Sequence, residues 1–342
     1  MSATPSTRCV LPAEWAPHAA TWLTWPGIAE DWGGKHAAVC RAWVAIARAL
    51  RGGERVRLVV DPAISPQTIE SAFDGDLKGV DIVPMVTDDV WIRDYGPLFV
   101  DCEDGSCRRW AVSWDFNAWG RKYPDWAKDA AVSERAARHV DVPNVEPGIV
   151  LEGGAVEVDG EGSLLATERS VVDPARNPEL DRTAMESALA RWLGARRIIW
   201  LGGMLEGDDT DGHIDTLTRF VKPALVVTSI AADRRDPNRG FLEKNRELLR
   251  TSQDASGRRL EVVDLPLPEP VVLGGRRLPA SYANFYIGNH VVLVPQYRSS
   301  GDARALGILK DLFPERNVVG IDCVEILQGG GALHCLTLQQ PL

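Results

Sequence analysis

Apolar positions along the chain fall into two rhythms that alternate from end to end. In HAAVCRAWVAIARALRG (36–52) they recur at helical spacing up to a glycine stop, and RVRLVV (55–60) is a short continuous run of strand type. Strands or hairpins are also predicted at VDIVPMV (80–86), RRWAVSWDF (108–116), GAVEVDGEGSLLATE (154–168) and ALVVTSI (224–230). Helical spacing returns at 124–140, 177–193, 238–250 and 302–313, with Pro or Asn near several starts. The class is therefore mixed α/β. No low-complexity linker divides the chain, so a single domain over 1–342 is expected, with the Pro-rich DLPLPEPVVLGGRRLP (264–279) as an irregular surface loop. Glycine pairs at 153–154, 202–203, 274–275 and 329–330 follow strand-like runs and hint at repeated units around a common centre.

Composition narrows what such a chain can do. It has 342 residues, 45% of them hydrophobic and 25% charged, which suits an ordinary globular protein. A net charge of −10 argues against a nucleic-acid partner and permits a small cationic one. The first thirty residues lack a basic segment followed by an apolar run, and no apolar stretch is long enough for a membrane helix, so a cytoplasmic location is expected. Six cysteines without a CxxC pair suggest neither a disulfide framework nor a zinc ribbon, and Cys102 and Cys107, flanking the turn EDGS, read as incidental.

Polar chemistry gathers beside glycines, where backbone can approach a ligand closely. Four clusters stand out: TDDVWIRDYGP (87–97), LEGGAVEVDGEG (151–162), EGDDTDGHIDTLTRF (206–220) and GGGALHCLTLQQP (329–341). If His213 and Asp215 lie on a strand, the period of two turns both toward one ligand; the bland alternative is a solvated hairpin. Trp91 and Asp94 could line a cationic pocket, whereas Arg93 could equally close a local salt-bridge network with its own acidic neighbours. Glu152, between an apolar run and two glycines, should sit at the inner end of a strand, where a carboxylate is costly unless paired. Cys335 is either a buried structural thiol or a nucleophile carried by a glycine run.

Taken together, DDVWIRDYGPLFV, FNAWG, LEGGAVEVDGEG, GDDTDGHID, SYANFYIGN, VVGID and GGGALHCLTLQQP resemble, in this order, the agmatine deiminases and bacterial peptidyl-arginine-deiminase-like proteins of the guanidine-modifying pentein superfamily. The resemblance spans about residues 10 to 342. It implies a propeller of five ββαβ-type units with the active site in a central channel. It further implies Cys335 as nucleophile, His213 as general acid and base, Asp94 and Asp215 as the guanidinium-binding pair, and Glu152 as a third carboxylate. Trp91 and Asp209 match positions near the substrate's body and distal amine. No cofactor or metal is implied, the partner is a small agmatine-like guanidine, and a homo-oligomer stays open.

The residue types suit that chemistry. A guanidinium is planar and nearly always protonated, so carboxylates in bidentate geometry grip it best. A thiol can attack its carbon to give an amidino-thioether while an imidazolium protonates the departing ammonia, and the same histidine then activates water. Carboxylates crowding a thiol disfavour its thiolate, so the bound guanidinium is expected to assist ionisation of Cys335. The compact GDDTDGHID and the Thr216 that follows it depart from the usual agmatine-enzyme pattern, so agmatine is the first choice of substrate and peptidyl-arginine or another arginine-derived guanidine the alternative. A metal hydrolase using His213, Asp215, His334 and Cys335 lacks a recognisable ligand motif. A non-catalytic guanidine-binding protein would be expected to have lost the Cys or the His.

Overall fold

The structure, a computed structural model, describes residues 9–102 and 108–342. The helix His36–Leu50 buries Val39, Trp43, Ile46, Ala47 and Leu50, the one-sided stripe its sequence predicts. The helix Arg182–Leu193 starts where Asp181 accepts from the backbone N–H of Ala184 and ends on Gly194 at φ +76°, a backbone conformation that glycine takes at little cost. The strand Arg55–Val60 is buried along Leu58, Val59 and Val60, as expected of a parallel strand covered on both faces.

One pattern of strands recurs through the described residues. Thr218–Lys222 pairs antiparallel with Leu225–Ile230, the helix Arg239–Thr251 crosses over, and Glu261–Pro266 joins the same sheet in parallel. Val156–Val158, Ser163–Thr167 and Arg197–Leu201 repeat this, as do Tyr286–Ile287, Val291–Gln296 and Asn317–Asp322. Leu98–Cys102, Arg109–Val112 and Asn144–Val145 form a fourth such sheet, edged by Cys9–Val10. The last strand, Thr337–Pro341, pairs antiparallel with His18–Thr24, which leads through parallel pairings to Arg55–Val60 and Val80–Pro84. Chain end and chain start thus share a sheet. The five sheets remain separate.

Several expectations change. The helical pattern at 124–140 splits into Ala127–Ala130 and Val132–His139, a break that falls where Asp129 turns inward to accept the backbone N–H of Asp88 at 2.7 Å. The Pro-rich stretch is more ordered than a loop: it completes the strand Glu261–Pro266 and then forms the hairpin Val272–Leu273/Arg276–Arg277. The glycine pairs do not mark the repeats, because Gly274 and Gly275 turn the tip of that hairpin and Gly203 packs on Phe241. Cys102 is not incidental: it is bonded to Cys9 where their strands pair, and Cys107 lies outside the described residues.

Candidate active site

Each repeat contributes at the same place. Immediately before its first strand the chain makes a short turn, and there stand Asp94 (before Leu98), Glu152 to Gly154 (before Val156), His213 and Asp215 (before Thr218), Asn284 (before Tyr286) and Cys335 (before Thr337). Five sheet entries therefore deliver one cluster. Gly154 lies at its middle: a Cβ there would come within 2.7 Å of His213 Nδ1, 2.8 Å of Asp94 Oδ1 and 3.0 Å of Asp215 Oδ2. No side chain larger than hydrogen fits, which accounts for the LEGG motif.

His213 and Asp215 do not lie on a strand. His213 precedes the single 3₁₀ turn Ile214–Thr216 that holds Asp215, and both are wholly buried. His213 Nδ1 is 3.7 Å from Asp94 Oδ1, and Nε2 is 3.7 Å from Glu152 Oε2. Neither ring nitrogen has a hydrogen-bond partner, nor does Asp215 Oδ1. Three buried polar atoms of one cluster are thus free to bond a polar ligand. Asp94 sits in the one-turn helix Ile92–Tyr95; its Oδ1 accepts the Gly154 N–H at 3.0 Å and its Oδ2 the Trp119 indole N–H at 2.9 Å.

Cys335 and His334 lie in another one-turn helix, Leu333–Leu336, rather than on a strand. Asn284 Nδ2 donates to Cys335 Sγ at 3.2 Å, and Asn284 Oδ1 accepts the His334 backbone N–H at 3.0 Å, so one amide holds both the turn and the sulfur. Sγ is 3.7 Å from Asp215 Oδ2. Arg93 takes no part in a salt-bridge network with its acidic neighbours: its guanidinium reaches Gln339, Glu14 and the His334 carbonyl instead. Glu152 is buried against Arg176, whose Nε donates to both carboxylate oxygens at 2.9 Å, so it is a paired carboxylate and not one bonded to backbone.

A cavity of about 220 Å³ opens from Cys335 and Asp94 past Trp91, Trp119 and Tyr123 to Asp209 and Asp89. The closing glycines shape one wall. A Cβ on Gly331 would lie 2.6 Å from the Trp91 ring and 3.0 Å from Cys335 Cβ, and one on Gly330, already at φ +99°, 3.1 Å from the Asp209 carboxylate. Asp209 accepts the Tyr123 hydroxyl at 2.5 Å, and Arg276 stands at the rim. Trp91 and Asp209 thus lie along one cavity with Asp94 and Cys335; His213 and Asp215 stand beside those two outside its wall, and Glu152 stands beside His213.

Burial and neighbouring charge tune these groups against one another. Burial, with Asp215 adding to it and His213 opposing, pushes Asp94 up to about 6. For His213, burial alone would favour the neutral ring, but Asp94, Glu152 and Asp215 outweigh it and raise the imidazole to about 9. Burial also works against ionised Asp215, yet His334, His213 and Arg219 hold that carboxyl below its usual range. Burial, then Asp215 and Asp94, drive the Cys335 thiol well above the ordinary range, with the Asn284 amide pulling the other way. At neutral pH the cluster therefore holds an imidazolium and a thiol. Among the described residues no group of three or more His, Cys, Asp or Glu could hold a metal ion.

The architecture belongs to the mixed α/β pentein fold of deiminases and amidinotransferases; even an amidinotransferase from Microseira wollei, 10% identical, superposes with a TM-score of 0.51 over 98% of this chain and 96% of its own. Residues 10–341 match the model of the Porphyromonas-type peptidyl-arginine deiminases, and the chain belongs to that family. Agmatine deiminases from Stutzerimonas stutzeri and Pseudomonas fluorescens are each 38% identical, over 97% of this chain and 95% of theirs. The solved agmatine deiminase of Enterococcus faecalis is 30% identical with a TM-score of 0.89, over 97% of this chain and 96% of its own. That of C. jejuni with substrate bound is 28% identical with the same TM-score, over 99% and 98%.

Sequence reasoning overlooked the supports of the site. Asn284 and Trp119 were within reach, since they stand inside SYANFYIGN and FNAWG; Glu14 and Arg176 lie outside every motif. Trp119 occupies a run of four left-handed residues, Ala118 to Arg121, with φ between +53° and +86°. Non-glycine residues there cost roughly 1–2 kcal/mol each, and what the turn achieves is to aim the indole N–H at Asp94. Trp119→Phe keeps the ring and deletes that donor. It should lower kcat/KM by roughly 10-fold, the worth of about one charge-assisted hydrogen bond, with the circular dichroism spectrum unchanged; steady-state rates at pH 7.5 to 8 check this.

Proposed function

We propose that this chain is an agmatine deiminase, hydrolysing agmatine to N-carbamoylputrescine and ammonia, and that Cys335, His213, Asp94 and Asp215 carry the reaction. The observation behind the reading is the convergence, around Gly154, of a buried imidazole with two unpartnered nitrogens, two carboxylates and a thiol at the head of an acidic, tryptophan-lined cavity. The relatives named above point the same way. In this reading the chain acts as one catalytic domain, its five sheets ranged as propeller blades around the channel; the common strand pattern and the five equivalent entry turns support that arrangement.

The guanidinium would lie between Asp94 and Asp215 with its carbon facing Cys335 Sγ. Sulfur forms a bond to that carbon, its proton having passed to solvent as the cation bound, and the tetrahedral adduct collapses as His213 protonates the departing nitrogen to ammonia. Neutral His213 then takes a proton from water, whose oxygen attacks the amidino-thioether. Breaking the C–S bond releases the urea product and returns a proton to sulfur. Glu152, steadied by Arg176, would hold the His213 ring in place, while Trp91 flanks the alkyl chain and Asp209 meets the distal ammonium. A cytoplasmic location goes with this reading.

One feature favours a second substrate class. Arg276 at the rim would attract a carbonyl or carboxylate and repel a free ammonium, as suits a peptidyl-arginine. Ammonia release from agmatine, free arginine and a blocked arginyl peptide, measured in parallel, decides between them. Release from agmatine is the expected outcome; turnover of the peptide alone would replace this reading by protein deimination.

A further inference from the structure

Behind the guanidinium-binding carboxylate lies a buried chain of charges that the reaction itself does not touch. His334 presents Nδ1 to Asp215 Oδ2 and Nε2 to Glu14 Oε2, each at 2.7 Å. Glu14 in turn accepts from Arg219 Nη2 at 2.9 Å, from Arg93 Nη2 at 3.1 Å and from the Ile287 backbone N–H at 2.8 Å, and Glu157 accepts from Arg219 Nε at 2.8 Å. All six side chains are buried. Two carboxylates facing the two ring nitrogens require both nitrogens to donate, which is the imidazolium form. The charges then balance: Glu14, Glu157 and Asp215 against Arg93, Arg219 and His334. A neutral imidazole would leave the buried group with an uncompensated negative charge, which is costly.

We infer that His334, held by Glu14, is a positioning residue: it donates to Asp215 Oδ2, so that the carboxylate is fixed in place and offers the substrate its Oδ1. Asp215 Oδ1 is the buried oxygen without a partner, and Asp94 Oδ2 is already taken by Trp119. Asp94 Oδ1 already accepts the Gly154 N–H, so Asp215 Oδ1 is the free acceptor of the pair and the one the guanidinium engages first. Glu14 reaches this place on the segment that follows the edge strand Cys9–Val10, which makes the start of the chain part of the site.

Besides His334, the groups facing Asp215 are His213, Arg219, the Cys335 thiol and Asp94. Facing His334 are Asp215, Glu14 and, at longer range, Glu157. Without the imidazolium the Asp215 carboxyl moves toward its protonated form, so ligand affinity should be lost from the acid side first.

The activity readout rests on the agmatine reading, but the binding readout does not. His334→Gln should raise KM for agmatine about 10-fold or more at pH 6.5 with kcat changed less, and should move the acidic limb of kcat/KM to higher pH; Glu14→Gln should shift it in the same direction by less. In a Cys335→Ser background, calorimetric affinity for propylguanidine should show the same loss at low pH. A fall in kcat and thermal stability with the acidic limb unmoved would overturn the proposal, leaving His334 a packing residue. Where both variants fail to fold, nitrogen NMR of the parent protein decides: His334 Nδ1 should carry a proton hydrogen-bonded to Asp215, and a ring whose Nδ1 carries none would refute the inference. Parent protein that binds propylguanidine yet leaves agmatine untouched would sink the agmatine reading alone.

Discussion

Cys335→Ser should leave agmatine bound and unconverted, with turnover lower by on the order of 10⁴-fold or more, the usual consequence of removing a covalent nucleophile. Serine nearly matches the shape of cysteine, and Asn284 can still donate to its oxygen, so the turn Leu333–Leu336 and the cavity should persist. What is lost is ionisation. Burial and the carboxylates of Asp215 and Asp94 already hold the thiol well above its ordinary range, and only a cation bound against them offsets that cost. A thiol can respond to such a cation; an alcohol, intrinsically far less acidic, cannot. An unreactive guanidine added to the parent enzyme should likewise raise the ultraviolet thiolate band. Cys323, fully buried with its thiol also driven up, and Cys40, raised to about 11, should contribute nothing to that signal. Calorimetry on the serine variant should give an agmatine affinity within a few-fold of the parent KM. Residual turnover above one part in a hundred would mean that water, not sulfur, attacks the guanidinium.

What could be read from the sequence divides along a physical line. Asp94, His213, Asp215 and Cys335 stood out because each sits in a short motif of glycines and polar residues, and the structure brings the four together. The conformation of those motifs was less legible: GHID looks like alternation on a strand, but His213 and Asp215 converge through a 3₁₀ turn packed against Gly154 across the site. Supports recruited over long separations were invisible. Glu14 lies 320 residues from its partner His334, and Cys9 lies 93 from Cys102; nothing in local periodicity connects either pair. The repeat was legible only faintly for a related reason. Its signature is an order of strand pairings, antiparallel then parallel, and backbone pairing leaves no fixed residue type behind, whereas the glycine pairs that suggested repetition answer to separate local needs.

His213→Gln should reduce kcat by roughly 10³-fold, within the usual worth of a positioned general acid and base, and should change the shape of the pH profile as well as its height. In the parent, Asp94 is ready to receive a guanidinium only when ionised, so kcat/KM should fall as pH drops through about 6. His213 serves as an acid only while protonated, so kcat/KM should fall again as pH rises through about 9, after which no proton is available for the leaving nitrogen. The variant should keep the acidic limb and lose the alkaline one. The carboxylates that raise His213 are also those expected to hold the substrate: once Asp94 and Asp215 share their charge with a guanidinium, they stabilise the imidazolium less. The alkaline limb of kcat, which reports the bound complex, should therefore lie at lower pH than that of kcat/KM. That difference is what lets one ring give a proton to ammonia and, when neutral, take one from water. If the two limbs coincide in the parent, or if the glutamine variant keeps an alkaline limb near 9, the proton donor is a different group.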